Sequence, residues 1–570
     1  MKKSLLVFAA MAASVSLFAQ VKVNSIAEFY TMKISTDGRY IISSADGLMQ
    51  VLNVETGKIE SYPEVMPGNG NCISTSGIVV GSNQMDAPMM IVDNKLVYPE
   101  NLTKFSLCDL HGITPDGTRA CGLVNSPEGN TDGQMYQPMV VNVNADGSVS
   151  DPIYLPHPEK DFFGNTPQHC SAVRIGPDGK TVVGQVIDDS GFFIYPIVYK
   201  EDADGKWSYT LPSEPYFNPN HIEIPENPGE FEEPRPEAKD FISEEKRTEY
   251  EAAYKEWEDA GYPEGLEPNV ASYMTEEEIA AYNKAAEEYN MRLEEYYKKF
   301  EEYTEARDKV IDESLSFVLN ALALDTAGKK LAIGAVKYVM TEGAFMPEEI
   351  YSTCVFDLEN NTMNQIEGKY TNILPSQVLA NGEVLGCTPV PGPWSTSLLP
   401  PLTYIYTPGA TDYVPIQEYL EGVAPEAITW MNENLLKEIP VDMDEEYNPI
   451  YEEVLMTGHA VASDDMSVIS GGVLAYMYDE NMSFVSYVIT GSTNAVADVA
   501  AEASSLRVLK GGVLVAHGVV ADVEVYTMAG AQVYSAATLQ GSVNTGIAAG
   551  IYAIAWTDAA GERHSAKVLF

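Results

Sequence analysis

Apolar and polar residues alternate in short runs over most of this chain, and seven of the runs share one punctuation. Ile34-Ser35-Thr36-Asp37-Gly38-Arg39-Tyr40-Ile41-Ile42 is the first. Related stretches begin at Ile73, Ile113, Ile175, Leu324 and Val378, and a weaker one at Val461. Each reads as a strand, a two-residue turn, a second strand and, in most copies, a closing glycine such as Gly81, Gly122, Gly184, Gly334, Gly386 or Gly471. Asp-Gly and Asn-Gly supply the positive φ that tight hairpins need. A glycine at the end of a strand marks a place where a side chain would obstruct a neighbouring backbone. Further strands follow most copies, among them Tyr195-Pro196-Ile197-Val198-Tyr199 and Thr403-Tyr404-Ile405-Tyr406.

The first three turns are about forty residues apart, which is the period of a β-propeller blade. A unit of this size cannot bury its own apolar face, so copies must stack. The Ser-x-Asp-Gly-x-x-Val-x-Gly pattern resembles the repeats of extracellular propellers of the HAF type and of TolB-like propellers. The expected fold is mainly β, a propeller of six or seven blades over 20–218 and 316–495. The competing arrangement is a β-sandwich built from unrelated hairpins.

Two stretches carry the helical period instead. Residues 219–315 open with Pro-rich text and continue as helix formers, with starts at Ser243 and at Thr275-Glu276-Glu277-Glu278, a capping-box pattern. The second helix is expected from Glu276 to Asp312, with Ile279, Tyr282, Ala286, Tyr289, Leu293, Tyr297, Phe300 and Tyr303 at spacings of three and four. The expectation is an acidic helical hairpin inserted between blades, its Tyr stripe packed on its partner helix. The other reading is a projection that binds a partner or a second copy. A shorter helix is expected between Pro415 and Pro440, with Ile428, Met431, Leu435 and Leu436 on one side.

The ends read as addresses. Lys2 and Lys3 precede an apolar stretch, Leu5 to Leu17, and Ala19/Gln20 is a signal-peptidase site, so 1–19 is expected to be a signal peptide. No later stretch is long and apolar enough for a transmembrane helix. At the other end, Val525-Tyr526 runs into Gly530, Gly550-Ile551-Tyr552 follows, and Lys567-Val568 lies near the terminus. Residues 496–570 thereby resemble the C-terminal sorting domain of cargo of the type IX secretion system of Bacteroidetes-type bacteria. Thr527 and Ala531 stand where that family has an acidic and a basic residue. The resemblance implies a small β-sandwich whose residues Val525, Tyr526, Gly530, Gly550, Tyr552, Lys567 and Val568 dock to the secretion machinery. It also implies a protein that is secreted or attached to the outer cell surface.

Charge and chemistry narrow the rest. The net charge is −49 over 570 residues, which opposes nucleic acid and anionic membrane surfaces as partners. Residues 219–315 alone hold 29 acidic against 11 basic residues. The six cysteines are too few for a disulfide scaffold. Cys108 and Cys121 bracket a predicted hairpin and could pair, while the others read as small apolar residues.

No metalloprotease, serine-hydrolase, phosphate-loop or Cys-x-x-Cys motif is present. No catalytic, cofactor or metal residue is therefore assigned. His111 and His459 hold comparable positions before repeat turns, and His169 stands beside Cys170. Asn142–Ser148 and Asp202–Gly205 look like short calcium loops but read better as hairpin turns. Trp394 could line a sugar-binding face. The sequence leaves two functional classes. One is a cell-surface binding or scaffold module for protein or glycan, and the other is a secreted hydrolase of peptide or glycan with its site on the propeller face. Weak chelation of divalent cations by the acidic surface is a third possibility.

Overall fold

The computed structural model describes residues 22–27, 30–45, 48–65, 70–83, 87–125, 136–191, 193–262, 267–339, 348–366, 368–370, 372–388, 401–443, 449–474, 484–490, 506–509, 513–527, 531–547, 551–557, 561 and 563–569. It divides into two compact units, residues 162–165 with 216–314 forming one and the remainder the other.

The larger unit contains seven antiparallel sheets with four consecutive strand positions each, which we number in chain order. Sheets 1 to 6 cover residues 30–62, 70–97, 108–154, 169–210, 316–366 and 374–415. Sheet 7 covers 459–490, and its fourth strand is Lys22–Ala27, from the other end of the chain. The first strand of each sheet contacts the next sheet in order, and sheet 7 returns to Tyr30–Ile34 of sheet 1. The architecture is that of a β-propeller.

The repeated turn has a physical cause. Ser35 Oγ donates to Asp37 at 2.7 Å and accepts from the Tyr40 amide at 3.0 Å. Thr114 and Asp116 repeat this, at 2.6 Å for the side-chain bond, as do Ser463 and Asp465, at 2.7 Å. A hydroxyl followed two residues later by a carboxylate thus satisfies the turn amides locally. The closing glycines are explained as well. A Cβ on Gly122 would overlap the carbonyl of Asp109, and one on Gly184 the carbonyl of Ser171.

Apolar faces are buried between sheets, as stacking requires. Ile42, Met49 and Val51 of sheet 1 pack with Val79, Met89 and Ile91 of sheet 2. Ala323 and Ala332 of sheet 5 pack with Val378 and Val384 of sheet 6. Amides tie other sheets together. Gln185 donates to the Val318 carbonyl at 2.8 Å and accepts from the Asn320 amide at 2.6 Å. Gln377 does the same to Ala462, at 2.6 and 3.0 Å.

Between sheets 6 and 7 the expected single helix is two. One helix covers Ile416–Val423 and the next Pro425–Asn434. Ala424 leaves helical geometry (φ −148°, ψ 62°) ahead of Pro425, as the residue before a proline does. Leu436 begins the strand Leu436–Met443 and is exposed, so it does not join Met431 and Leu435 in the core.

The smaller unit has helices α1 (Glu244–Asp259) and α2 (Glu276–Glu313). Ser243 caps α1, and Thr275 with Glu278 forms the capping box of α2. The Tyr stripe of α2 has a different cover from the one expected. Phe231 packs on Tyr289 and Tyr296, and Phe241 on Tyr282, so the Pro-rich segment before α1 supplies the aromatic cover. Arg292 clamps that segment through Glu233, and Tyr296 Oη donates to the Gly229 carbonyl at 2.9 Å.

Residues 506–569 form five strands, Leu506–Leu509, Val513–Thr527, Gln532–Asn544, Ile551–Thr557 and Arg563–Leu569. The long second strand pairs with the first, third and fourth, with register shifts where it bends. Leu514, Val520, Val523, Val525, Ile554 and Trp556 fill a core of their own.

Candidate functional site: the axis of the ring

The first strands of neighbouring sheets contact one another, and several carry a β-bulge. The pairing register shifts between Thr31 and Lys33, Gly70 and Cys72, Leu110 and Gly112, and Pro375 and Gln377. Bulges re-aim side chains. Asn71, His111 and Ser376 are the extra residues, and Lys33 follows the bulge of sheet 1.

Polar groups from five sheets meet here. Asn71 of sheet 2 donates to Asp109 at 3.0 Å and to the Leu110 carbonyl at 2.9 Å. His111 Nε2 lies 2.9 Å from Asp109, and its Nδ1 lies 3.1 Å from the Ala172 carbonyl of sheet 4. Both ring nitrogens of His111 are thereby engaged. Arg174 donates through Nη1 to the Val173 carbonyl at 2.9 Å and more weakly to His111.

Lys33 of sheet 1 and His459 of sheet 7 complete the group. Burial lowers the Lys33 ammonium to about 8, with Arg174 nearby opposing its proton further. Burial likewise lowers His459 to about 4, helped by Lys33. Both side chains still touch solvent. His169 is lowered to about 4 by burial and by His111, and its ring stands edge-on to Tyr136 at 4.7 Å.

The resemblance in position between His111 and His459 is therefore real, since both sit on first strands. Sequence reading missed Lys33, Arg174, Asn71 and Asp109. Their only signal was polarity on strands that otherwise read as apolar.

A second group lies at the loop after Thr181–Ile187. Asp161, Asp188 and Asp189 place one carboxylate oxygen each within 4.8 Å of one another. Carboxylate oxygens suit a hard divalent cation. Asp188 already accepts from Ser190 Oγ and the Phe193 amide, and Asp161 from the Asp189 amide. Asp188-Asp189 is visible in sequence, whereas Asp161 is joined to it only by the fold.

The other candidates resolve plainly. Cys108 and Cys121 do not pair; both are buried thiols. Asn144–Ser148 is a hairpin turn in which Asp146 accepts from Ser148 at 2.7 Å. Asp202 accepts from the Asp204 and Lys206 amides in the same manner. Trp394, Ala19 and Gln20 lie outside the described residues, as do Gly530 and Gly550. Val525 is buried, and Tyr526 and Tyr552 are half-buried. Tyr552 lies opposite Thr527 on one side and Val568 on the other, and Ala553 opposite Lys567. Three adjacent strands thus carry the five described residues of the sorting pattern.

No protein-family model matches this chain, and no curated protein does. Among solved structures it is similar to an oligogalacturonate lyase from Vibrio parahaemolyticus, at 9% identity over 83% of this chain and 97% of that one, TM-score 0.37. It is also similar to a putative TolB from Agrobacterium tumefaciens, at 10% identity over 62% and 90%, TM-score 0.29. A third is the β-propeller domain of the Trilobed protease from Pyrococcus furiosus, at 7% identity over 95% and 94%, TM-score 0.29. These neighbours are TolB-like and β-propeller proteins, and what they act on is not carried over to this chain.

Proposed function

We infer that this chain is an exported binding protein of the cell surface. Its seven sheets serve as the blades of one closed propeller that binds protein or glycan, with the axial space as the docking place. The 1–19 segment is the export signal. The C-terminal strands form a small sandwich that acts as a type IX sorting label. Val525, Tyr526, Gly530, Gly550, Tyr552, Lys567 and Val568 dock it to the machinery.

The observation that carries the binding reading is the state of His111. A general base needs a nitrogen within reach of the proton it takes. Both nitrogens of His111 are already engaged, by Asp109 and the Ala172 carbonyl. The axial groups around it are donors suited to holding a ligand. A hydrolase remains the alternative, and it requires His111 to release one of these bonds.

Two measurements test this. The first is deletion of 506–570 in the native cell, which should trap the protein in the periplasm; unchanged export removes the sorting role. The second is a glycan and peptide array with the full chain, read together with turnover of the bound molecules. Binding without cleavage is expected, and cleavage abolished by His111→Ala would establish the hydrolase.

A further inference from the structure

Helix α1 carries an aromatic stripe that the fold leaves open. Tyr250, Tyr254 and Trp257 stand at spacings of four and three, so they share one face of the helix. Tyr273, from the short turn Val270–Tyr273, extends the row at one end and Tyr262 extends it at the other. Ring centroids lie 5.7 Å apart from Tyr273 to Tyr250, 5.9 Å from Tyr250 to Tyr254, 5.3 Å from Tyr254 to Trp257 and 4.9 Å from Trp257 to Tyr262. A helix ordinarily turns such a stripe to a core. In α1 no residue is buried, and Tyr254 is 37% and Tyr262 57% exposed.

The end of the row at Tyr262 offers more than apolar area. Tyr262 holds a left-handed backbone, φ 57°, which is uncommon for a bulky residue. Its ring plane meets that of Trp257 at 87°, and its hydroxyl donates to Glu258 at 2.8 Å. The two rings thus make a corner with a carboxylate beside it. Glu256, Glu258 and Asp259 occupy the last turn of α1, which has no basic residue. That turn is the negative pole of the helix dipole, where a cation is stabilised and a carboxylate is not. Lys255 lies 3.9 Å from Asp259, while Lys246 and Arg247 bond to Glu249 and to the Lys239 carbonyl at the far end of the helix.

We propose that this aromatic row, with the carboxylates at the end of α1, is a docking surface for a Lys- or Arg-rich segment of a partner protein. Charge decides the occupant. Residues 219–315 hold 29 acidic against 11 basic residues, and the whole chain carries −49. A second copy of this chain is therefore repelled, and a cationic segment is attracted. The rings add what charge alone does not. An ammonium or guanidinium over a Trp or Tyr face is drawn to the ring, and the stem of a Lys or Arg side chain packs along an apolar stripe. The surface belongs to the smaller unit alone, so the inference stands apart from the reading of the axis.

Fluorescence anisotropy with the full chain tests this. The probe is a fluorescein-labelled peptide of alternating Lys, Arg and Gly, an acidic peptide of equal length is the control, and about 0.15 M salt screens exposed charges beyond roughly 8 Å. The basic peptide should bind and the acidic one should not. Trp257→Leu and Tyr262→Asn leave the net charge unchanged, and asparagine tolerates the left-handed backbone at position 262. Each should weaken binding roughly threefold or more, the size of a lost cation–π contact. Tyr262→Asn alone decides if Trp257→Leu folds poorly. Glu258→Gln should weaken binding as well, whereas Glu55→Gln, an equal loss of charge at an exposed site of the larger unit, should leave it unchanged. Aromatic variants that bind as the wild type does, or equal losses in Glu258→Gln and Glu55→Gln, overturn the proposal, because the whole acidic surface would then be the attractant. A wild type that does not bind the basic peptide overturns it too. So does a dimer in sedimentation that Tyr262→Asn dissolves, which would give the face to a second copy.

Discussion

Lys22 lies directly opposite Thr490, and five further pairs follow to Ala27 opposite Val485. Through this pairing the first described strand completes the last sheet. The hydrogen bonds of this sheet thus join residues more than four hundred positions apart. Deleting residues 22–27 should lower stability by about 2–4 kcal/mol, the net value of a few backbone hydrogen bonds and their packing. The urea midpoint measures this, and an unchanged midpoint would show that the ring does not depend on the strand.

Gly122 sits where a Cβ would meet the Asp109 carbonyl of the paired strand, and Gly184 where it would meet the Ser171 carbonyl. Backbone cannot yield to a Cβ as the end of a flexible side chain can. Alanine at either position should therefore cost roughly 2–3 kcal/mol, in the range of overpacked cores. Equilibrium denaturation of the two variants checks this.

Arg119 spans sheets 3 and 4. Its Nη1 lies 2.6 Å and its Nη2 3.1 Å from the two carboxylate oxygens of Glu201, and Nη1 also donates to the Gly179 carbonyl at 2.8 Å. The bond to Arg119 holds the Glu201 carboxyl below its usual range. A depressed carboxyl contributes stability above its unfolded value and loses it as pH falls through the folded one. Glu201→Gln should therefore cost roughly 2 kcal/mol at pH 7. The gap between variant and wild type should close below about pH 4, the ordinary range of the group. Melting curves across that range decide it.

Asp464 has the opposite sign. Burial raises its carboxyl to about 7, against a hydrogen bond from Thr326 that favours the charge, and Asp465, Asp325 and Asp37 raise it further. The folded state holds the proton longer than the unfolded chain. Ionisation costs stability as pH rises from about 4 to about 7, and the whole cost is present above that. Asp464→Asn should stabilise the protein by roughly 1–3 kcal/mol at pH 8 and leave it unchanged near pH 4.

The turns, their glycines and the mainly β character were legible because each rests on local chemistry. Ser35 with Asp37, and Thr114 with Asp116, use residues two apart. The capping box of Thr275 and Glu278 is equally local. The break at Ala424 was missed because the apolar residues weighed, Ile428, Met431 and Leu435, all lie after Pro425, so their spacing says nothing of the turns before it. The cover of Tyr289 by Phe231 was missed because an extended segment has no period to read. The axial site was missed for a related reason. Lys33, Asn71, His111, Arg174 and His459 lie on different sheets, and only the cyclic packing of first strands brings them together. Bulges add to the difficulty, since they turn residues such as Asn71 and His111 out of strict alternation.

The titration of Lys33 tests the axial site most directly. Reductive methylation with 13C-formaldehyde gives each lysine a methyl resonance that follows its proton, and Lys33→Met identifies the signal. One resonance should titrate near pH 8, away from the exposed lysines near about 10.4. A Lys33 signal that titrates with the exposed lysines would contradict the account of a lysine desolvated among the first strands of the sheets.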